Sequence, residues 1–359
     1  MAERLEAKHK GGALASRKIE FADTEDPVEL AYARGWTDGL PVTPPTDERV
    51  IALLKGTTRK PNEIIGRIPP FLADCTVEKV AINAVMAGCK PEYMPVLLAA
   101  LEAALEPVFT LHGVLATTYF SSPIIIVNGP VAKRIGMNSG MNVLGQGNRA
   151  NATIGRALNL IVLNVGGGRP GEADRSTLGA PSKYTLCFAE DESDPAWEPL
   201  SVARGFPRGV STVTLFQGHG PEAIVDQKSR TAEGLTRSLA LSLVKMGHAN
   251  LVQSARAILV LSPEHYAIYR EAGWDRKRIE RALYEATIRP GKEILAGAGG
   301  VGEGVPANRA GEMVPKFHED GLLLVRAGGP AGLFSAVLPG WLAGRNKEEL
   351  QLVTKEIRN

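Results

Sequence analysis

Two strongly apolar runs, 124–127 (Ile-Ile-Ile-Val) and 158–165, bracket a polar tract dense in asparagine and glycine. An apolar run of four without alternation predicts a strand buried on both faces. The tract that follows it carries Asn128, Asn138, Asn142, Asn148 and Asn151 with Gly129, Gly136, Gly140, Gly145 and Gly147. Amide donors and freely bending backbone at one edge of a sheet suit a small ligand, so the stretch 110–190 reads as the centre of a pocket.

Helical spacing appears elsewhere. Asp26 and Pro27 open a short helix that Gly35 stops, and another begins near Thr46. From Thr76 the apolar positions predict helices over 76–87 and 91–105, broken at Gly88 and Pro91. Strands are expected at 114–119 and 123–127, and Asn151 is expected to cap a helix over 152–163 that the glycines at 166–168 end. Further on, strands at 183–189, 210–216, 257–261 and 321–326 alternate with helices at 231–246, from Ser262, and at 276–287 after the cap Asp275. A glycine loop spans 296–304. This grammar predicts an α/β protein of two lobes, built on largely parallel or mixed sheets flanked by helices. The expected division is a mobile tail over 1–25, a first lobe over 26–205 and a second over 206–359.

Composition narrows the class. The 359 residues are 44% apolar and 22% charged, as in ordinary globular proteins. The net charge of +2 is scattered and aromatics are 6%, which argues against nucleic acid as a partner. No run approaches the roughly 20 apolar residues of a membrane span, and 1–18 lacks the pattern of a leader. Three cysteines make no disulfide framework and point to a reducing cytoplasm.

Cys89, at a helix junction beside Lys90, is the first candidate for chemistry: a helix N-terminus and an ammonium would favour its thiolate. The bland alternative is a small buried core residue. His112 could manage the thiol's proton or bind a metal, and His219, flanked by glycines, is a second candidate. Asn138, Asn142, Asn148 and Asn151 could orient a substrate or serve left-handed turns. Arg149, Arg156 and Arg169 flank the tract and suit a carboxylate, or they are solvated surface. Gly328 and Gly329, following a strand and with Ser335 in reach, form the better of two anion loops.

The segments Met86-Ala-Gly-Cys-Lys-Pro-Glu-Tyr-Met-Pro-Val96, Leu111-His-Gly113, Asn148-Arg-Ala-Asn-Ala-Thr-Ile-Gly-Arg156 and Ala196-Trp-Glu-Pro-Leu200 resemble a bacterial family. That family is associated with small proteins carrying a selenocysteine- or cysteine-Gly-Ser-Cys (UGSC) motif. The similarity spans most of 30–345 and implies thiol or selenol chemistry with a second subunit, although this chain lacks the motif itself. It assigns no role to any residue.

The leading expectation is therefore an enzyme, an oxidoreductase or lyase, acting on a small polar, anionic molecule through Cys89. A metal-dependent hydrolase or lyase using His112 and His219 with Glu172, Asp174 or Glu190 is the alternative. A non-catalytic subunit is the third. No cofactor is predicted, and the expected assembly is a homo-oligomer or a pairing with a second thiol or selenol subunit.

Overall fold

The computed structural model describes residues 14–19, 25–252, 255–295, 304–341 and 352–358. Its first half runs α1 (Pro27–Ala33), α2 (Asp47–Leu54), a hairpin of β1 (Ile64–Ile68) and β2 (Ala73–Thr76), then α3 (Val77–Ala87), α4 (Met94–Ala104) and α5 (Leu111–Ala116). β3 (Ser122–Asn128), α6 (Pro130–Arg134), α7 (Arg149–Asn164), β4 (Cys187–Ala189) and α8 (Leu200–Ala203) follow. The second half continues with β5 (Thr212–Gly218), β6 (Glu222–Val225), α9 (Ala232–Lys245), β7 (Ala255–Leu261), α10 (Pro263–Glu271) and α11 (Arg276–Ala286). It closes with the short pair β8 (Arg289–Pro290) and β9 (Met313–Val314), then β10 (Phe317–Arg326), β11 (Phe334–Pro339) and β12 (Val353–Glu356).

The fold is α/β, with two four-stranded mixed sheets. One has the order β12-β5-β3-β4 and the other β10-β7-β11-β6. Only β3 with β4 and β7 with β10 run parallel within them; the remaining pairs are antiparallel. Alternation along each strand decides what the faces meet. Ile124 and Ile126 join Phe216, Ile258, Val260 and Leu338 in a cluster between the sheets. Ile125, Val127, Val213 and Leu215 instead pack with residues of α3, α4 and α7. On the far side Ala257, Leu259 and Leu261 pack with Leu235, Leu239, Tyr269 and Ile279 of α9, α10 and α11. The layers are thus helix, sheet, sheet, helix, which is why the central strands are apolar on both faces.

The expected lobe boundary at 205/206 does not coincide with the division between the sheets. β5 pairs with β3 over seven residues and β12 pairs with β5, so both C-terminal segments complete the first sheet. The chain passes from one sheet to the other at a bridge between Gly218 and Gly340. Of the expected tail, residues 14–19 are held in place, because Ala15 and Ser16 donate their backbone N–H groups to the buried Glu78 carboxylate at 3.0 and 2.8 Å. The rest of 1–24 lies outside the described residues, as does the glycine loop at 296–304 apart from Gly304.

Local signals hold where they are short-ranged. Asp26, Thr76, Thr231, Ser262 and Asp275 cap their helices through side-chain oxygens. Gly88, left-handed at φ +89°, ends α3 where the break was expected. Three expectations fail. No strand forms at 114–119: residues 114–116 belong to the helix α5, whose Leu111, Val114 and Leu115 bury one face at helical spacing, and 117–119 are irregular. The cap of α7 is Asn148, whose side chain accepts from the Asn151 N–H, so the helix starts three residues early. The strand at 183–189 shortens to β4, since 181–183 form a 3-10 turn.

A buried polar knot ties the two sheets together. Glu190 accepts from Asn128 Nδ2 at 2.6 Å, the Leu200 N–H at 2.7 Å and Trp197 Nε1 at 2.8 Å, and it faces Arg276 at 3.4 Å. Arg276 also donates to the carbonyls of Glu198 and Leu324, both at 2.8 Å, and stacks over Trp197 at 4.5 Å. Burial pushes the Glu190 carboxyl up, and Arg276 and the donors oppose that shift.

Lys316 is a second buried charge. Its Nζ donates to the carbonyls of Met246 and His248, each at 2.8 Å, and burial, aided by Arg289, lowers its pKa from 10.5 to about 8. The folded chain gives up this proton near pH 8, whereas the unfolded chain holds it to about 10.5. Stability is therefore expected to rise between those values as pH increases, and to be lost again as pH falls back toward 8. Urea midpoints measured across that range check this: the slope should flatten in Lys316→Met, and an unchanged slope in the variant would refute the assignment.

Candidate functional site

A cleft of about 670 Å3 opens on the helix-covered side of the first sheet. α5 supplies Val114 and Leu115, the entry to β3 supplies Ser121 to Pro123, and the last turns of α7 supply Asn159, Val162 and Leu163. Residues 37–39 form one lip. The other is the long connection from α7 to β4, which contributes Gly168, Pro170, Asp174, Leu178 to Pro181, Lys183 and Tyr184. A connection of this length inside a compact fold is uncommon unless it shapes a site. It is strapped down, because the Arg175 N–H donates to the Leu115 carbonyl at 3.1 Å and the Thr177 N–H to that of Thr118 at 2.9 Å.

Every charge in the wall is paired. Lys183 meets Asp174 at 2.6 Å, and Asp174 also accepts from the Ser176 N–H at 3.1 Å. Asp38 takes two donations of 2.8 Å from Arg156, which further donates to the carbonyls of Leu40 and Pro41. Two hydroxyls differ. Ser121 Oγ, in the wall, and Ser182 Oγ, between the lining residues Pro181 and Lys183, are buried with no hydrogen-bond partner among the described residues. The lining also carries exposed apolar side chains: Leu178 is 82% exposed, and Tyr184 is exposed as well.

The cysteines are elsewhere. Cys89 is 5% exposed, in the core that α3, α4 and α7 share, and its Sγ donates to the Thr153 carbonyl at 3.3 Å. Burial pushes its thiol up to about 12, outweighing the Thr153 contact and Arg149. This corrects the expectation of an activated thiolate: the junction exists, but packing excludes the water and charge that would ionise the sulfur. Cys75 and Cys187 are buried as well, with thiols pushed up by burial. His112 is exposed on α5 and does not line the cleft. His219 lies against Tyr119 and Phe120, with ring centroids 5.7 and 5.2 Å away, and burial lowers its pKa. Among the described residues no three His, Cys, Asp or Glu side chains gather as a metal ion would need. The set of His112 and His219 with Glu172, Asp174 or Glu190 is therefore not assembled. Asp174 is in the cleft wall, and Glu190 is in the interior knot.

The asparagines serve the backbone. Asn151 donates to the carbonyls of Asn138 and Val143 and accepts from the Asn138 N–H. Asn138 bonds Met141 O and the Gly140 N–H; Asn142 donates to Gln146 O; Asn148 donates to Gly136 O. Arg149 donates to Gly88 O and Arg169 to Gly35 O. The amides expected to meet a substrate are thus engaged in folding their own loop, and the two arginines are bonded to backbone carbonyls. That loop does meet the Gly328–Gly329 turn: the Gly328 N–H donates to Ser139 O at 2.9 Å, and Gly329 packs on Met141. Ser335 lies beyond the turn, bonded to His265.

Of the residues singled out from sequence, Asp174 reaches the cleft and Arg156 borders it through Asp38. Ser121, Ser182 and Lys183 were missed, though the length of the α7–β4 connection was a usable signal. Among the described residues no single helix is long and apolar enough to cross a membrane. Comparisons with protein-family models, with curated proteins and with solved structures find no match.

Proposed function

We propose that this protein binds a small, neutral, amphipathic organic molecule in the cleft beneath the α7–β4 connection. The observation that carries the reading is the Ser121 hydroxyl, buried and unpartnered in the wall of a cavity of ligand size. Buried polar groups are normally satisfied, and Ser121, which has no exposed surface, would gain a partner on turning its hydroxyl toward an occupant that completes its bonding. The apolar wall of Val114, Leu115, Val162 and Leu163 suits the body of such a molecule. Charge selects its class. Asp38 and Asp174 are neutralised by Arg156 and Lys183, so an anion would find no free cation in the lining and would lose its hydration without compensation. This favours a neutral ligand over the anionic substrate expected from the arginine-flanked tract. A thiol mechanism loses its support with the burial of Cys89.

The test is a fragment screen by ligand-observed NMR with neutral aromatic amides and alcohols and size-matched carboxylates. Neutral fragments should bind wild type, lose binding in Ala180→Trp, which fills the cleft from its loop, and weaken about fivefold in Ser121→Ala, the worth of one hydrogen bond. Preference for the carboxylates, or hits indifferent to Ala180→Trp, would overturn the reading.

A further inference from the structure

None of the residues at the far end of the second sheet lines the cleft, yet they hold an ordered hydroxyl–imidazole pair. Ser335, the second residue of β11, shares its face with Val337, which packs on the helix side of the sheet. There Ser335 Oγ lies 2.7 Å from His265 Nδ1, in the first turn of α10. His265 Nε2 is 3.1 Å from the Asp226 carbonyl. A carbonyl only accepts, so Nε2 carries the proton and Nδ1 of the neutral ring is left as acceptor. The Ser335 hydroxyl therefore donates to Nδ1. The Ser262 N–H points at the same Oγ from 3.4 Å, where it would stabilise negative charge developing on oxygen.

The surroundings hold this geometry in place. Asp226 is fixed by N–H groups of Lys228 and Ser229 and by the Ser229 hydroxyl. Leu333, two residues before Ser335, is held at φ +52°, its N–H donating to Glu264 at 2.7 Å and its carbonyl accepting from the Asp226 N–H. A bulky residue in that region is strained, and such strain persists where surrounding contacts enforce it. Ser335 retains 7% exposure while His265 has none, so of the pair the serine is the residue that reaches the surface.

We infer that Ser335 is an acyl-accepting nucleophile with His265 as its general base, oriented by the Asp226 carbonyl, acting on small activated esters. Ser335 Oγ bonds to the ester carbonyl carbon and its proton passes to His265 Nδ1. The ester C–O bond then breaks and the leaving alcohol takes that proton. Water, losing a proton to Nδ1, attacks the acyl-serine and releases the acid, with the proton returning to Oγ.

Full-length protein treated with a small alkyl fluorophosphonate should gain one adduct, mapped by peptide mass spectrometry to Ser335, as fluoride leaves and the serine proton goes to the ring. Ser335→Ala should abolish it, and His265→Gln should slow labelling at least tenfold while circular dichroism stays that of the wild type. The peptide map needs no variant, so it decides the matter even where a substitution unfolds the chain. An unmodified Ser335, or labelling as fast in folded His265→Gln as in wild type, would leave the pair a structural contact and end the inference.

Discussion

Glu190→Ala is expected to lower unfolding free energy by about 3–5 kcal/mol, the range for removing one partner of a buried ion pair. The size follows from what stays behind. Arg276, as buried as Glu190, would keep its contacts to Glu198, Leu324 and Glu280 but lose the carboxylate between the sheets. Asn128 Nδ2, Trp197 Nε1 and the Leu200 N–H would lose a shared acceptor, leaving only the first with another, Glu192 at 3.0 Å. Because Asn128 ends β3 and Leu324 lies in β10, the loss falls where the two sheets are joined. Urea unfolding followed by tryptophan fluorescence reads it directly, Trp197 being inside the knot. Glu190→Gln should cost less, since it keeps the shape and one accepting oxygen. A loss below about 1 kcal/mol in Glu190→Ala, within the range of an exposed pair, would show that the knot does not hold the sheets.

Asn151→Ala is expected to cost about 2–4 kcal/mol, from three bonds of about 1 kcal/mol each and the backbone groups they leave unsatisfied. The side chain is buried and bonds the N–H and carbonyl of Asn138 and the carbonyl of Val143, so it is the post around which the loop from α6 to α7 is wound. Asn142→Ala, whose amide makes an exposed bond to Gln146 and whose backbone is left-handed at φ +58°, should cost about 1 kcal/mol, the strain of alanine in that conformation, and so less than Asn151→Ala. Hydrogen exchange would localise the difference: the amides of 136–147 should lose protection in Asn151→Ala and keep it in Asn142→Ala. Equal effects in the two variants would remove the structural role assigned to Asn151. The contrast also separates folding from recognition, because a substrate-binding tract would show altered ligand affinity with the loop intact.

The asparagine-rich tract shows how a sequence reading can point to a stretch that borders a cleft while the side chains it singles out are engaged elsewhere. The stretch 110–190 does supply most of the cleft wall, but from its ends, at Val114 to Pro123 and Asn159 to Tyr184, and not from the amides in its middle. Asparagine is equally suited to binding a ligand and to binding its own backbone, and composition cannot distinguish these uses. Cys89 is parallel: Gly88 and Pro91 marked the helix junction correctly, but the thiol's state depends on what packs over it.

By itself the sequence determined the α/β class, the buried central strands and most helix starts, because those depend on periodicity and on capping within about four residues. The tertiary structure alone decided the layering, the closure of the first sheet by the C-terminal strand and the fate of each candidate side chain. Cys89 meets Thr153 across 64 residues, Arg276 meets Glu190 across 86 and Arg156 meets Asp38 across 118. Burial, charge pairing and an unpartnered hydroxyl such as that of Ser121 are properties of those distant neighbours, and no local pattern encodes them.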